Sequence, residues 1–418
     1  MKVREKGFTK LMKVEEAKRL IDEKIAYNIR EYEEVDLLES LGRISFENVM
    51  SPIDVPPFDR AAMDGYAAKA KDITGASMRN PAILKVIGYI EAGDKKEMIL
   101  TERSAVEIST GAPIPKGADT VIPYEETRRT GEYIEVYSAI PPGRNISKKG
   151  EDIRRGEVVL RRGEKIKSWN IGVLAAIGVR KVKVYRKPRV AIISTGDELK
   201  ELGEKLGEKE IINSTGAMLR ALICEVGGEP VYYGNVSDDT NLISKKIIES
   251  IRFNDFIVVT GGTSVGKRDY TIEAVMKAGG KIIFHGVAMR PGKPTALAIL
   301  NGKPILMLSG YPVAALIGFH LFGRKIMNKI CGTKDPPLPR VKAKISRRVA
   351  SRPGITDFLR VKIYKTPNGL IAEPLKITGS GVLSSIIKSN GLVIISEEKE
   401  GLEHEEEVDV IIFKPLEE

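Results

Sequence analysis

The stretch VAIISTGDEL (190–199) is an unbroken apolar run that stops in polar residues around a glycine. Val190–Ile193 does not alternate, which is how a strand buried on both faces reads. The pattern recurs at VYYGNVSDD (231–239) and FIVVTGGTSVG (256–266). Between these runs, Ser214–Val226 carries Met218, Leu219, Leu222 and Ile223 at helical spacing and stops at Gly227-Gly228. Ser237-Asp238-Asp239 reads as the cap of a following helix, and a further helix is expected over Tyr270–Lys277. Strands at Lys281–Phe284 and Ile305–Leu308 and a helix over Pro312–Ile330 complete the series. Strands alternating with helices predict a parallel, doubly wound sheet.

On the N-terminal side, residues 13–27 read as a helix with Val14, Ala17, Leu20, Ile21 and Ile25 on one face. From about residue 46 the chain turns to short β-rich runs, Ala82–Ile90, Ala105–Ile108 and Tyr133–Tyr137, which predict a small β domain ending near Pro141-Pro142-Gly143. On the C-terminal side, Pro336-Pro337-Leu338-Pro339 reads as a linker, and residues 340–418 form a last strand-rich domain.

The 418 residues are 42% hydrophobic and 29% charged, an ordinary globular composition that excludes collagenous, low-complexity and wholly disordered chains. The longest apolar candidate, Ile305–Phe322, is broken by Ser309, Gly310, Pro312 and His320, so no transmembrane helix is expected. The MKVREKGFTK start lacks a hydrophobic signal core, and a cytoplasmic protein is expected. Cys224 and Cys331, with His285, His320 and His404, show no ligand spacing, which argues against a structural zinc site or a disulfide framework. Any metal should then be a hard ion held by carboxylates or bridged by phosphate. The net charge is +11; residues 144–189 alone hold 15 Lys/Arg against 4 Asp/Glu, while residues 397–418 are acidic. The basic stretch is a solvated face, a site for an anionic substrate or a nucleic-acid contact; no nucleic-acid motif accompanies it. Few aromatics and many Lys, Glu, Arg and Ile suggest a heat-adapted source.

In a doubly wound sheet ligands sit at the carboxyl ends of strands. Ser194–Glu198, Ser237-Asp238-Asp239 and Gly261–Gly266 with Asp269 fall there. Gly261, Gly262, Thr263 and Ser264, followed by a helix, read either as a phosphate cradle or as a plain strand-to-helix turn. Asp238 and Asp269 are either helix caps or a carboxylate pair that bridges Mg²⁺ to a phosphate. In MRPGKP (289–294) the prolines and Gly292 hold the loop, leaving Arg290 and Lys293 as fixed cations suited to a small oxyanion, or as solvated cations on a rigid surface loop. Ser309-Gly310-Tyr311-Pro312 is a helix start or a ligand loop. Phe58–Tyr66, with Asp59 and Asp64 flanking small residues, is not required by chain physics.

Seven segments in this order, PPFDRAAMDGYA (56–67), STGAPIPKGADTVIP (109–123), GRNISKKGED (143–152), STGDEL (194–199), TGGTSVGKRDYT (260–271), MRPGKPTA (289–296) and SGYPVAA (309–315), resemble the molybdopterin molybdenumtransferase family, MoeA-like proteins that include the gephyrin E domain. The resemblance implies a multidomain α/β plus β protein. Residues 1–45 and 145–180 would form a discontinuous N-terminal domain, 46–144 an inserted β domain, 181–332 an α/β molybdopterin-binding domain and 338–418 a C-terminal β-barrel. It further implies a homodimer with an inter-subunit active site. The implied enzyme is a molybdopterin molybdotransferase that inserts molybdate or tungstate into adenylylated molybdopterin and releases AMP, its substrate coming from a MogA/MoaB-like adenylyltransferase; neither nucleic acid nor membrane is a partner. By the same resemblance Asp238 and Asp269 serve Mg²⁺ and adenylate cleavage. Gly261, Gly262, Thr263, Ser264, Ser309, Gly310 and Pro312 bind the pterin nucleotide. Arg290, Lys293, Pro294, Arg360 and Ser380 hold the oxyanion, and Asp59, Thr110, Asp152 and Glu198 are associated with activity.

The chain departs from the family's pattern at Tyr311, in a loop usually written GLPGNP. It also departs at Gly286 and Arg290, where some members carry Lys, and at Ile212-Asn213-Ser214-Thr215, where many have an acid followed by Ser/Thr-Asn. The rival readings are a molybdopterin adenylyltransferase, which shares TGGTSVG, and a non-catalytic pterin-binding scaffold.

Overall fold

The computed structural model describes residues 11–262, 269–333, 337–375 and 381–416. The chain divides into two compact units, one of residues 1–33, 42–44 and 184–418 and the other of residues 34–41 and 45–183.

The smaller unit is built on a six-stranded sheet in the order Thr120–Pro123, Gly65–Ala68, Ser104–Ile108, Ala82–Ile90, Tyr133–Val136, Thr127–Thr130. The interior strand Gly65–Ala68, second in that order, is buried along its whole length, because Ala67 joins one small core and Tyr66 and Ala68 join another. Two short ladders, Arg60–Ala61 with Ile146–Ser147 and Val49–Met50 with Val158–Leu160, and the helix Ser168–Ala176 belong to the same unit.

The larger unit holds the α/β fold. Its sheet runs Glu229–Val236, Arg189–Thr195, Phe256–Thr260, Lys303–Leu308, Ala296–Leu300, Lys281–His285. Alternate residues face opposite cores. Val190, Ile192, Phe256, Val258, Leu306 and Leu308 enter one core with the helices Ser214–Glu225 and Arg324–Ile330. Ala191, Ile193, Ile257, Val259, Ile305 and Met307 enter the other with Thr240–Ile251 and Tyr270–Lys277. Two covered faces explain why the strands read as continuous apolar runs.

Two expectations are corrected. The sheet is not wholly parallel: Ala296–Leu300 runs antiparallel to both of its neighbours. It is reversed by the two-residue turn Asn301-Gly302, both at positive φ (51° and 78°), the backbone that a tight hairpin requires. The helix expected over Pro312–Ile330 contains a π-turn at Phe319–Gly323 between the α-segments Pro312–Gly318 and Arg324–Ile330. By contacts, residues 11–33 fall in the same unit as the α/β fold. The helix Val14–Lys24 buries Val14, Ala17 and Ile21, with Ile25 beyond it, in the first α/β core. The buried Asp255 carboxylate also accepts hydrogen bonds from Tyr27 (2.6 Å) and from Arg186 (2.9 and 3.0 Å).

The expected C-terminal barrel is present. Thr356–Thr366, Gly369–Pro374, Arg340–Ile345, Glu407–Ile412 and Gly391–Ile395 close on themselves through pairing of the first with the last, around Ile345, Val361, Ile363, Val393, Ile395 and Val410. Met289–Arg290 adds in parallel to Thr356–Asp357, which seats the MRPGKP loop on the barrel. No described helix is long and apolar enough to cross a membrane.

Candidate functional site

The larger unit contains a cavity of about 1230 Å³ at the carboxyl ends of its parallel strands, faced by the barrel. The strand ends contribute Thr195, Gly196, Asp238, Gly261, Gly262 and Ser309. Of the expected residues, Glu198, Asp238, Gly261, Gly262, Ser309, Gly310 and Pro312 line it together with Arg290, Lys293, Pro294 and Arg360. Thr263, Ser264 and Ser380 lie outside the described residues.

The backbone at this end packs closely. Gly261 has φ +89°, and a Cβ there would lie 2.1 Å from the Thr195 carbonyl oxygen, so only glycine fits. Thr271 Oγ1 donates to the Gly261 carbonyl at 2.9 Å, and Thr215 Oγ1 donates to the Gly310 carbonyl at 2.7 Å. Both loops are thus fastened by helix N-terminal threonines. Gly261 and Gly262 can bring main chain close to an anion.

The two aspartates differ. The cap of Thr240–Ile251 is Asp239, whose carboxylate accepts from the N–H groups of Asn241 and Leu242. Asp238 is therefore free of capping; its Oδ1 is buried without a hydrogen-bond partner among the described residues. Burial, followed by the neighbouring charges of Asp197 and Glu198, raises its pKa above the ordinary carboxylate value. An orphaned carboxylate oxygen raised by neighbouring negative charge can take a hard divalent cation as a single protein ligand, which would relieve that repulsion. Asp269 does cap its helix, accepting from Ile272 N–H at 3.2 Å, and its Oδ2 lies 3.1 Å from His285 Nε2. Asp269 is not in the cavity lining, and the described residues contain no cluster of three or more His, Cys, Asp or Glu suited to a metal. Asp238 is the residue whose surroundings fit a cation.

The cations differ as well. Arg290 is not a loose ligand: its guanidinium makes a two-pronged ion pair with Asp357, whose side chain is 6% exposed and also accepts from Ser351 Oγ at 2.6 Å. Lys293 is exposed beside it. Arg360 is 8% exposed, and its Nε and Nη1 have no partner among the described residues. Burial pulls its pKa below the usual guanidinium value. A buried arginine without a counter-charge is costly unless an anion arrives.

Asp59, Thr110 and Asp152 lie in the other unit. Asp59 accepts from Lys148 Nζ and Lys149 N–H, each at 2.8 Å, and these contacts lower its pKa. Thr110 donates from both N–H and Oγ1 to Asp64 Oδ1, at 2.7 and 3.0 Å. It lines a smaller cavity of about 630 Å³ with Arg60, Arg144, Asn145, Ser147 and Glu151. Asp152 is exposed, its N–H donating to the Val55 carbonyl. Sequence reasoning missed Asp197, Asp357 and His285. Asp197 stands inside the quoted STGDEL and was legible as a second acid at a strand end. Asp357 was not, because its partner is 67 residues away.

Three regions match described families: residues 12–178 the "MoeA N-terminal region (domain I and II)", 191–329 the "Probable molybdopterin binding domain" and 342–413 the "MoeA C-terminal region (domain IV)". A Methanocaldococcus jannaschii protein named for molybdopterin biosynthesis is 42% identical over 97% of this chain and 98% of its own length. A Staphylococcus aureus molybdopterin molybdenumtransferase is 35% identical over 90% of each. A crystal structure of a molybdopterin biosynthesis MoeA protein from Pyrococcus horikoshii superposes with TM-score 0.84 at 36% identity, covering 97% of this chain and all of that one.

Proposed function

This chain belongs to the MoeA family of molybdopterin molybdenumtransferases, transferases of molybdenum cofactor biosynthesis, and from that premise we propose that it inserts molybdate or tungstate into adenylylated molybdopterin with release of AMP. The observation that carries this reading is one cavity lined by a glycine backbone loop, by a buried arginine whose Nε and Nη1 have no partner among the described residues, and by a buried carboxylate oxygen that also has none among them. Phosphoanhydride cleavage and oxyanion capture need those three features.

Main-chain groups at Gly261 and Gly262 hold the phosphates, and Arg360 receives the tetrahedral oxyanion with bidentate geometry. Arg290, half neutralised by Asp357, borders that position and adds less charge than its formal +1. In balance, water cleaves the phosphoanhydride to AMP and a pterin phosphate, and the two dithiolene thiols replace one oxide of the oxyanion, which leaves as water. Asp238 would be the carboxylate that takes Mg²⁺, which when bound supplies charge neutralisation at the phosphoanhydride; Asp269 caps its helix outside the cavity lining. The chain acts as a homodimer in this reading, with Asp59, Thr110 and Asp152 supplied by a partner copy. Support comes from the smaller unit, where Leu38 (79%), Leu41 (60%) and Trp169 (65%) are left exposed around the helix Ser168–Ala176.

The test is chromatographic. Purified protein receives adenylylated molybdopterin and Mg²⁺ with molybdate, tungstate or neither. Oxyanion-stimulated AMP release is expected, and the two metals are ranked by rate. AMP formation that ignores the oxyanion, or consumption of ATP with metal-free pterin, would replace this reading with the adenylyltransferase one.

A further inference from the structure

The loop SGYP (309–312) places a large aromatic ring where it is not needed for packing. Tyr311 is 60% exposed although it lines the cavity. Its backbone is held on both sides. Its N–H donates to Ser309 Oγ at 3.3 Å, and Pro312 occupies the first turn of the following helix. The ring is held too. A Cβ on Gly381, in the barrel half of the unit, would lie 3.1 Å from Tyr311 Cδ1 and 3.5 Å from Cε1. One ring edge therefore lies beside the Gly381 backbone while the residue as a whole stays exposed, and Gly310, which precedes it, approaches Gly261 closely. No hydrogen bond engages the hydroxyl among the described residues, so polar contact does not explain the placement.

A fixed, uncovered ring beside an anion-binding backbone loop suits a ligand that carries both a phosphate and a planar ring. Pre-positioning at both ends lowers the entropic cost of stacking on it. We propose that Tyr311 is a stacking platform for a heteroaromatic ring of the pterin or purine class, and that it decides selectivity for ring-bearing over ringless phosphates at this cavity. The inference deepens the transferase reading and rests on it for the choice of ligands. Gly381 is its positioning residue, kept small so that one edge of the ring can lie against it.

Equilibrium binding by calorimetry tests this with the full chain and three probes: AMP, a pterin monophosphate and ribose 5-phosphate. Tyr311→Phe should keep the wild-type preference for the two ring-bearing ligands. Tyr311→Ala should weaken them by about tenfold and leave ribose 5-phosphate unchanged. Gly381→Ala, which pushes the ring by a few tenths of an ångström, should weaken the same ligands and spare the ringless one. A larger loss for AMP than for the pterin phosphate, or the reverse, says which ring stacks. An equal loss for all three probes, or none for any, overturns the proposal. If oxyanion-stimulated AMP release is present while Tyr311→Ala changes no affinity, the stacking role fails and the transferase reading stands. With ring-selective loss but no AMP release, the stacking role stands and the transferase reading fails.

Discussion

Arg360 holds a charge that folding alone does not repay. It is nearly buried, unpaired among the described residues, and shifted toward its neutral form by burial. A buried, uncompensated charge carries a desolvation penalty on the order of several kcal/mol, which an apolar side chain of similar length removes. Arg360→Met should therefore raise the urea midpoint while cutting molybdate-stimulated AMP release about 10²-fold. A variant that lost stability and kept activity would show that the guanidinium serves packing. Gly261 is the opposite case, a residue chosen for what it lacks. In Gly261→Ala the positive φ costs about 1–3 kcal/mol, and the Thr195 carbonyl must also move. Both thermal stability and phosphate affinity should fall together. The glycine was legible in TGGTSVG; the reason for it, a carbonyl from a neighbouring strand, was not.

At the scale of elements, the π-turn Phe319–Gly323 puts His320 largely out of water, with Nδ1 unpartnered among the described residues. Burial, then the charge of Arg324, lowers its pKa from 6.5 to about 4. The unfolded chain binds a proton on this histidine near pH 6.5, whereas the folded one refuses it until about pH 4. Stability is thus fully present above pH 6.5 and declines as pH falls toward 4, by about 2 kcal/mol at pH 5. In His320→Gln, denaturant unfolding at pH 5 and pH 7 should differ by that much less than in the parent. An unchanged difference would assign the acid sensitivity to other groups. The Asn301-Gly302 hairpin shows an element-level signal that was available in sequence and outweighed the expectation of a parallel sheet. The π-turn had no such signal: residues 313–322 are almost uniformly apolar, so an extra residue in a helical turn leaves no gap in the pattern.

At the scale of the whole molecule, the proposed dimer gives Trp169 and the neighbouring Leu38 and Leu41 a cover. If a second copy does cover them, Trp169→Glu should convert the sedimenting species from dimer to monomer and abolish AMP release without lowering the stability of the folded chain. A wild-type monomer with full activity would remove the inter-subunit site. Sequence determined most of the elements and the family. Two covered sheet faces demand continuous apolar strands, and strand-end glycines and acids announce a ligand site, because such patterns are local and repeat over a few residues. It also marked the barrel as a separate strand-rich region. Tertiary structure alone decided which groups meet. Asp239 rather than Asp238 caps its helix, Asp357 takes Arg290, Arg360 is left without a partner among the described residues, and the Val14–Lys24 face closes the α/β core. Each of those outcomes turns on competition for hydrogen bonds, charge and burial between residues distant in the chain or equivalent in sequence. That competition has no local pattern to read.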